Sequence, residues 1–175
     1  MIINNRKIGA NTKPYIIAEI SANHKGSIQN VFKLIDECKR IAVDAVKIQT
    51  YTPDTITIKS DRKEFQISDG IWSGRSLYDL YSEAYTPFEW HEEIFNYASN
   101  VGITLFSSPF DKTAVDLLES LGTPAYKIAS FEAIDIPLIQ YVAKTKKPMI
   151  ISTGMANLEE IHEAVDAALG FGCKE

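Results

Sequence analysis

The chain has 175 residues, of which 45% are hydrophobic, and a formal net charge of −5 at pH 7. These values are typical of one folded domain with its own core and exclude a disordered or fibrous chain. No Lys/Arg-rich stripe indicates nucleic acid as a partner, and no apolar run approaches the roughly 20 residues of a membrane span. The start lacks a signal-peptide pattern, and Cys38 and Cys173 fit no metal motif, so we expect a cytoplasmic protein with reduced thiols.

Strand-like and helix-like segments alternate along the chain, after an N-terminal hairpin predicted around Asn4 and Asn5. Helical patterns begin near residues 27, 86, 111, 135 and 157; the first is predicted from apolar spacing and the other four also from capping signals. Each follows a short apolar run that is typical of a buried strand. The predicted strands lie at about 15–21, 45–51, 104–108, 125–130 and 148–153.

Five strand–helix units in this order predict a parallel sheet covered by helices. An open doubly wound sheet and part of a (β/α)₈ barrel both fit the order. The residues after the first strand are Asn23–Gly26 and not a glycine-rich nucleotide turn. A complete eight-fold barrel needs about 250 residues, so five units would leave it open. Either the chain is a fragment, or it forms something other than a closed barrel.

Three details of the helical regions are predicted from local signals. Thr86 is expected to cap the second helix, with Pro87 at its first position. The segment at about 52–86 is long for a loop and is expected to have a role at the site, with Trp72 and Arg75 in a loop and Tyr78 and Tyr81 in a short packed helix. The fifth helix is expected to turn four residues inward: Leu158, Ile161, Val165 and Leu169.

Charged side chains interrupt three of the apolar strands near their carboxyl ends, namely Glu19, Lys47 and Lys127. A charge in a buried strand is costly unless it is paired or bound to a ligand. Side chains alternate along a strand, so Lys47 and Gln49 share one face. If these faces converge, they form a pocket for an anionic substrate; structural ion pairs are the alternative, and one lysine could also form a Schiff base.

Further polar residues follow the strands, where parallel α/β folds bind their ligands. Lysines and hydroxyl groups suit a phosphate or carboxylate, and a carboxylate beside them can orient a sugar hydroxyl or transfer a proton. The candidates for these roles at the strand ends are the carboxylates Glu19 and Glu132 and the lysines Lys47 and Lys127, together with Gln49 and the hydroxyl groups of Ser21, Ser107, Ser108, Ser130, Ser152 and Thr153.

At this point the sequence resembles the sialic acid synthase family, in order and spacing, over nearly its whole length. Taken together the matching motifs are specific, although each alone would be weak. They are Ala18–Ile20, Asn23–Gly26, Val46–Thr50, Phe106–Phe110, Ala125–Glu132 and Ile151–Met155. The segment Trp72–His91 resembles the pseudaminic acid synthase branch in particular.

The resemblance implies a (β/α)₈ barrel of the TIM type that condenses phosphoenolpyruvate with an open-chain amino sugar, 2,4-diacetamido-2,4,6-trideoxy-altrose, and releases phosphate. It implies that Lys47, Ser108, Lys127, Ser130 and Ser152 bind phosphoenolpyruvate. Glu19, Gln49 and Glu132 would face the sugar and the reacting carbons, with Glu19 transferring a proton or orienting the sugar.

The resemblance also implies a divalent metal, Mn²⁺ or Mg²⁺, a homodimer of the full-length protein and a C-terminal antifreeze-like domain. The family's two metal-binding histidines would lie beyond this chain, together with the later barrel strands and that domain. Of the histidines present, His24 is expected either to line the site or to brace its loop, and His91 and His162 to pack or be exposed. We therefore expect the chain alone to lack turnover.

Two alternatives to pseudaminic acid synthesis follow from the same residues. An N-acetylneuraminate or legionaminate synthase would share most of the motifs but differ over Trp72–His91. A truncated barrel without catalysis would still bind ligands that carry phosphate. Domain organisation is the same in each case, with residues 1–175 forming the N-terminal part of a synthase barrel.

Overall fold

The computed structural model describes residues 1–174. It begins with a small antiparallel hairpin, in which β1 (Ile2–Ile3) pairs with β2 (Arg6–Lys7). Asn4 and Asn5 form its turn with φ values of 46° and 66°, a left-handed conformation that asparagine tolerates better than most residues. The predicted hairpin is confirmed.

Five parallel strands follow and form one sheet in chain order. Adjacent strands are hydrogen-bonded, and within the described residues the sheet is open between its first and last strands. The strands are β3 (Ile17–Glu19), β4 (Ala45–Thr50), β5 (Thr104–Pro109), β6 (Tyr126–Ile128) and β7 (Met149–Ile151). Four of the five are shorter than predicted, because the end residues of the predicted runs, apolar as well as polar, lie outside the paired strands.

Helices connect the strands and cover one face of the sheet. The segment after β4 forms two short helices and two 3₁₀ turns, at Lys63–Phe65 and Gly70–Trp72, and a third 3₁₀ turn, Phe131–Ile134, follows β6. The helices are α1 (Ile28–Arg40), α2 (Pro53–Ile56), α3 (Leu77–Ala84), α4 (Phe88–Val101), α5 (Lys112–Ser120), α6 (Ile136–Ala143) and α7 (Leu158–Gly170). This is the predicted arrangement, an α/β half-barrel of five strand–helix units.

The hydrophobic core lies between the outer face of the sheet and these helices. One part packs α1 and α4 on β4 and β5, and the other packs α5, α6 and α7 on β6 and β7. A smaller cluster lies on the inner face, where Ile3 of the hairpin contacts Ala45, Phe106 and Ala125. The hairpin thus covers the amino-terminal end of the sheet, and the inner face at the carboxyl end is left to polar residues.

The inward face predicted for α7 is wrong for three of its four residues. Leu158, Val165 and Leu169 are exposed, whereas Ala164 and Ala168 are buried. Two small side chains let α7 pack closely on α6, and this contact sets the rotation of the helix. Leu158, Val165 and Leu169 then form a second, exposed face, which we call the outer face of α7.

The start of α4 also differs from the prediction. Pro87 and not Thr86 is the N-cap, because its ψ of 135° places it just outside the helix. The Pro87 carbonyl accepts a hydrogen bond from the Trp90 backbone N–H at 3.0 Å, and Thr86 is buried. The helix itself is confirmed.

The segment at about 52–86 is more ordered than a loop. A single bridge pairs Gln66 with Ser76, and α3 carries Tyr78 and Tyr81, which confirms that these two belong to a short helix. Trp72 is 49% exposed. Arg75, for which a loop role at the site was expected, forms an ion pair with Glu83 in α3.

Both cysteines are buried, and the Cys173 thiol donates a hydrogen bond to the Lys147 carbonyl at 3.5 Å. They fill space in the core. No helix among the described residues has the length and the apolar character needed to cross a membrane.

Candidate functional site

The register of β3 and β4 brings Glu19 beside Lys47. The two residues are direct partners in the parallel ladder, and the Lys47 Nζ and Glu19 Oε2 atoms form an ion pair. The other carboxylate oxygen, Oε1, accepts a hydrogen bond from the Ser21 backbone N–H at 2.9 Å. The Glu19 carboxylate is therefore held by the backbone that follows β3, and it neutralises part of the Lys47 charge.

Lys47 also reaches across to β5. Its ammonium group donates to the Ser108 hydroxyl at 3.3 Å. Gln49, two residues further along β4, is the ladder partner of Ser108 and accepts a hydrogen bond from the Ser21 hydroxyl at 3.3 Å. The first three strands thus bring four predicted site residues into one connected group: Glu19, Lys47, Gln49 and Ser108.

A second group lies on the last two strands. The Lys127 ammonium donates to the Ser152 hydroxyl at 2.5 Å and to the Ile128 carbonyl at 2.6 Å. Ser152 is held there because its own backbone N–H donates to the Ile128 carbonyl at 3.0 Å. Both partners of Lys127 are neutral, so its charge has no direct counter-ion among the described residues.

Electrostatics link the two groups. Burial lowers the pKa of Lys127, and the nearby Lys47 ammonium lowers it further, while Glu132 and Glu19 oppose the change. A neighbouring cation lowers a lysine pKa only at close range. Two ammonium groups from non-adjacent strands therefore face the same space.

Glu132 and Ser130 lie outside the strand that was predicted to hold Ser130. Ser130 directly precedes the 3₁₀ turn Phe131–Ile134, and Glu132 is inside it. Burial raises the pKa of Glu132, and its Oε2 atom is buried with no hydrogen-bond partner among residues 1–174. A carboxylate oxygen in this state is a ready acceptor for a ligand that carries an N–H or O–H group.

Gly154, in the loop after β7, is a site residue that the sequence analysis did not single out. A Cβ atom there would lie 3.2 Å from the Ser130 hydroxyl oxygen, which is closer than ordinary van der Waals contact. The absence of a side chain at Gly154 therefore lets the Ser130 hydroxyl keep its position. Nothing in one sequence distinguishes this glycine from a turn residue.

The arrangement suits an anion with several oxygen atoms. Ser108 and Ser152 each accept a hydrogen bond from a lysine, so their hydroxyl protons remain to be donated. Two ammonium groups and two hydroxyl groups converge, with Glu19 and Glu132 at the margins. Charge-assisted bonds of this kind bind phosphate and carboxylate groups well.

The three histidines have structural or exposed positions. His24 is buried; its Nδ1 accepts from the Gly26 N–H at 3.0 Å, so Nε2 carries the proton and donates to the Ala84 carbonyl at 3.1 Å. It braces the loop after β3 against the end of α3. His91 is fully buried, and burial lowers its pKa. His162 is exposed on α7.

No group of three or more His, Cys, Asp or Glu side chains within residues 1–174 could hold a metal ion. The residues described here therefore do not fit the divalent metal that the resemblance implies. The charged groups at the strand ends are two lysines and two carboxylates, and the lysines compete with a cation for the same space.

The fold is an α/β half-barrel, and two lysines with two serine hydroxyl groups lie at the carboxyl ends of its strands. Residues 34–175 match the model of the NeuB family, so the chain belongs to that family. It is 52% identical over 149 residues to a pseudaminic acid synthase from Campylobacter jejuni, a match that covers 85% of this chain and 43% of that protein. A pseudaminic acid synthase from Helicobacter pylori is 44% identical over 152 residues, covering 87% of this chain and 45% of that one.

Solved structures give the same fold. An N-acetylneuraminic acid synthetase from Leptospira borgpetersenii has a TM-score of 0.85 at 26% identity, over 99% of this chain and 56% of that one. A truncated 3-deoxy-D-arabino-heptulosonate 7-phosphate synthase from Thermotoga maritima has a TM-score of 0.62 at 11% identity, over 90% and 47% of the two chains, and supports the fold alone. The chain spans slightly less than half the length of the relatives it matches.

Proposed function

We propose that the chain forms the phosphoenolpyruvate-binding half of a pseudaminic acid synthase. The observation that carries the proposal is the convergence of Lys47 and Lys127, each with a serine hydroxyl, on one space at the strand ends. The identity of 52% to a pseudaminic acid synthase supports the choice of reaction.

Phosphoenolpyruvate carries a phosphate and a carboxylate three bonds apart, and two ammonium groups on separate strands can bind both. Lys127, which has only neutral partners, would bind the group with the higher charge, the phosphate. Lys47 shares its charge with Glu19 and would bind the carboxylate. Ser108 and Ser152 would donate their free protons to the same oxygen atoms.

In the proposed reaction, the C3 carbon of phosphoenolpyruvate attacks the aldehyde carbon of the open-chain sugar, and a C–C bond forms. The aldehyde oxygen takes up a proton and becomes a hydroxyl group. Water adds at C2, which has become electron-poor, and the C2–O bond to phosphate breaks, so that phosphate leaves and C2 becomes a ketone. Water supplies the ketone oxygen; one of its protons balances the proton taken up by the aldehyde oxygen, and the other leaves with the phosphate.

Two carboxylates are placed to assist. Glu19 lies beside Lys47 at the end of β3 and would orient the sugar or transfer the proton to the aldehyde oxygen. Burial raises the pKa of Glu132, and its Oε2 atom has no hydrogen-bond partner among residues 1–174, so this carboxyl group is a candidate for proton exchange with a ligand. No step is assigned to a metal, because the described residues do not fit one.

Two other functions remain open to test. A legionaminate synthase is favoured less, because the N,N'-diacetyllegionaminic acid synthase from Legionella pneumophila is 35% identical to this chain. A barrel without catalysis is favoured only by the lack of a metal site among residues 1–174. It predicts phosphoenolpyruvate binding with no phosphate release.

Calorimetric titration with phosphoenolpyruvate tests the proposal, with inorganic phosphate and pyruvate as partial ligands. Phosphoenolpyruvate should bind more tightly than either part, because it fills both ends of the pocket. Equal affinity for phosphate and phosphoenolpyruvate would show that Lys47 does not bind the carboxylate. No binding of any of the three would refute the proposed function.

A further inference from the structure

The hydrogen bonds of Lys127 suit a neutral amine as well as an ammonium group. Its Nζ atom donates to two acceptors, the Ile128 carbonyl and the Ser152 hydroxyl oxygen. Both acceptors are uncharged. A neutral amine has two N–H groups, so these two contacts use both of them and leave the lone pair of the nitrogen free. An ammonium group has three N–H groups, and the third has no acceptor among residues 1–174.

The two lysines of the site differ in how firmly they hold their protons. Lys47 forms an ion pair with Glu19, which favours its charged form. Lys127 has no such partner, and burial together with the nearby Lys47 ammonium lowers its pKa, against the opposing charges of Glu132 and Glu19. A desolvated lysine beside a second cation is the setting in which an amine becomes a nucleophile. The pair therefore combines one candidate nucleophile with one lasting cation.

Two groups beside Lys127 can supply protons to an oxygen atom. Ser152 accepts the hydrogen bond from Lys127, so its own hydroxyl proton is free to be donated. Burial raises the pKa of Glu132, and its Oε2 atom is buried with no hydrogen-bond partner among residues 1–174. The charge of Glu132 acts on Lys127, which shows that the two groups are close. A carbonyl group at the Lys127 nitrogen would therefore meet a hydroxyl donor and a carboxyl group.

We propose that Lys127 is a nucleophilic amine that forms a Schiff base with the ketone carbon of a 2-oxo acid, whose carboxylate is bound by Lys47. In a 2-oxo acid the ketone carbon and the carboxylate carbon are directly bonded, so an amine and a cation that face the same space can reach both. The inference uses the same lysine pair as the proposed function but not its reaction. It adds a covalent activity in which phosphate takes no part.

The proposed step is a condensation that releases one molecule of water. The Lys127 nitrogen attacks the ketone carbon, a C–N bond forms, and the electron pair of the C=O bond moves to the oxygen atom. That oxygen takes up a proton from Glu132 or Ser152, and the nitrogen returns one of its own protons to the donor. The new hydroxyl group then takes up a second proton and leaves as water, while the second N–H proton replaces it and the C=N bond forms.

Reductive trapping of the full 175-residue chain tests the inference. The chain is incubated at neutral pH with pyruvate and sodium cyanoborohydride, and peptide mass spectrometry locates each lysine that carries a carboxyethyl group. The exposed Lys33 on α1 is the internal reference. We expect Lys127 to be labelled about tenfold more than Lys33, because each unit by which a lysine pKa falls gives about ten times more neutral amine.

Acetone is the matched probe, because it has the ketone of pyruvate but no carboxylate. The ratio of Lys127 to Lys33 labelling should be about tenfold lower with acetone, since the charge-assisted contact with Lys47 is lost. Lys47→Ala should lower the ratio for pyruvate in the same way. The comparison of the two probes uses the wild-type chain alone, so it holds even if this variant does not fold.

Labelling of Lys127 no stronger than that of Lys33 overturns the inference, and so does an equal ratio for pyruvate and acetone. Calorimetry with phosphoenolpyruvate on the same protein keeps the two proposals apart. A Lys127 adduct without phosphoenolpyruvate affinity refutes the proposed function and leaves the Schiff base. Phosphoenolpyruvate affinity without preferential labelling of Lys127 refutes the Schiff base and leaves the proposed function.

Discussion

Removing either lysine of the pair should weaken phosphoenolpyruvate binding by about 1.5–3 kcal/mol, the range for a lost charge-assisted hydrogen bond. This is about 10- to 150-fold in Kd. Lys127→Ala should lie at the upper end, since its partners are a carbonyl and a hydroxyl, and its whole charge is available to a ligand. Lys47→Ala removes a cation and also leaves Glu19 facing the ligand alone.

Glu19 allows the two effects of Lys47→Ala to be separated. Glu19→Gln keeps the shape but removes the negative charge from the ion pair with Lys47. It should tighten phosphoenolpyruvate binding, because the anion no longer meets a carboxylate. Lys47→Ala combined with Glu19→Gln should then bind better than Lys47→Ala alone. A purely structural ion pair predicts no such recovery.

The assay is calorimetric titration at low ionic strength, where screening is small. Lys33→Ala is the control, because Lys33 is exposed on α1, on the helical layer. Far-UV circular dichroism checks that each variant is folded. Unchanged affinity in both Lys47→Ala and Lys127→Ala, with wild-type binding intact, would refute the pocket.

Three further predictions concern stability, the serine site and association. Because burial lowers the pKa of His91, the unfolded chain binds more protons than the folded one, and the free energy of unfolding should fall as pH drops below about 6.5. Urea titrations of His91→Gln should show a smaller fall, and those of His162→Gln should show the same fall as wild type. Gly154→Ala should displace the Ser130 hydroxyl and weaken phosphoenolpyruvate binding several-fold by calorimetry, whereas Gly9→Ala, with open space around it, should not. The outer face of α7 and the edge of β7 should make the chain self-associate, so light scattering should rise with concentration and fall when the leucines of that face become lysines.

Each of these has a clear contrary result. An identical pH profile for wild type and His91→Gln would mean that the imidazole is not the titrating group. Wild-type affinity in Gly154→Ala would place Ser130 outside the ligand site. A monodisperse monomer that melts cooperatively above about 60 °C, at the upper end for ordinary domains, would show that the exposed apolar face is stable without a partner.

The sequence predicted the site largely through strand parity. Lys47 and Gln49 share the inner face with Phe106 and Ser108, and alternation alone places them there. The same rule reaches Tyr51, which is two residues beyond Gln49 and lines a cavity of about 440 Å³ together with Gln49 and Glu132. Tyr51 is the last residue of the predicted strand, where the alternation of side chains ends, so parity alone does not place it.

Other features depended on packing that no local pattern contains. Large apolar residues at helical spacing predicted the wrong face of α7, because two alanines set its contact with α6. The buried chain of hydrogen bonds from Ser107 to Thr50 and His91, at 2.7 and 2.8 Å, joins residues about 41 to 57 positions apart. Contacts over such separations follow from the sheet register, which a single sequence does not define.

Burial shifts the pKa values of two groups at the site, Lys127 and Glu132, in the direction that disfavours the charged form. The pKa of Lys127 is lowered, so at neutral pH the folded state keeps a proton there less readily than the unfolded state does. The pKa of Glu132 is raised, so stability is lost as pH rises from about 4.5 through that raised value. Both shifts therefore cost stability near pH 7.

A bound anion acts on the two costs differently. It would stabilise the Lys127 ammonium directly, and so offset the free-energy cost of keeping that lysine charged in a partly buried position. It would raise the pKa of Glu132 further, and so favour a protonated carboxyl group once phosphoenolpyruvate is in place. An anion bound by the two lysines would thus prepare Glu132 to donate a proton or a hydrogen bond to the sugar of the proposed reaction. This coupling predicts that the sugar binds more tightly once phosphoenolpyruvate is in place.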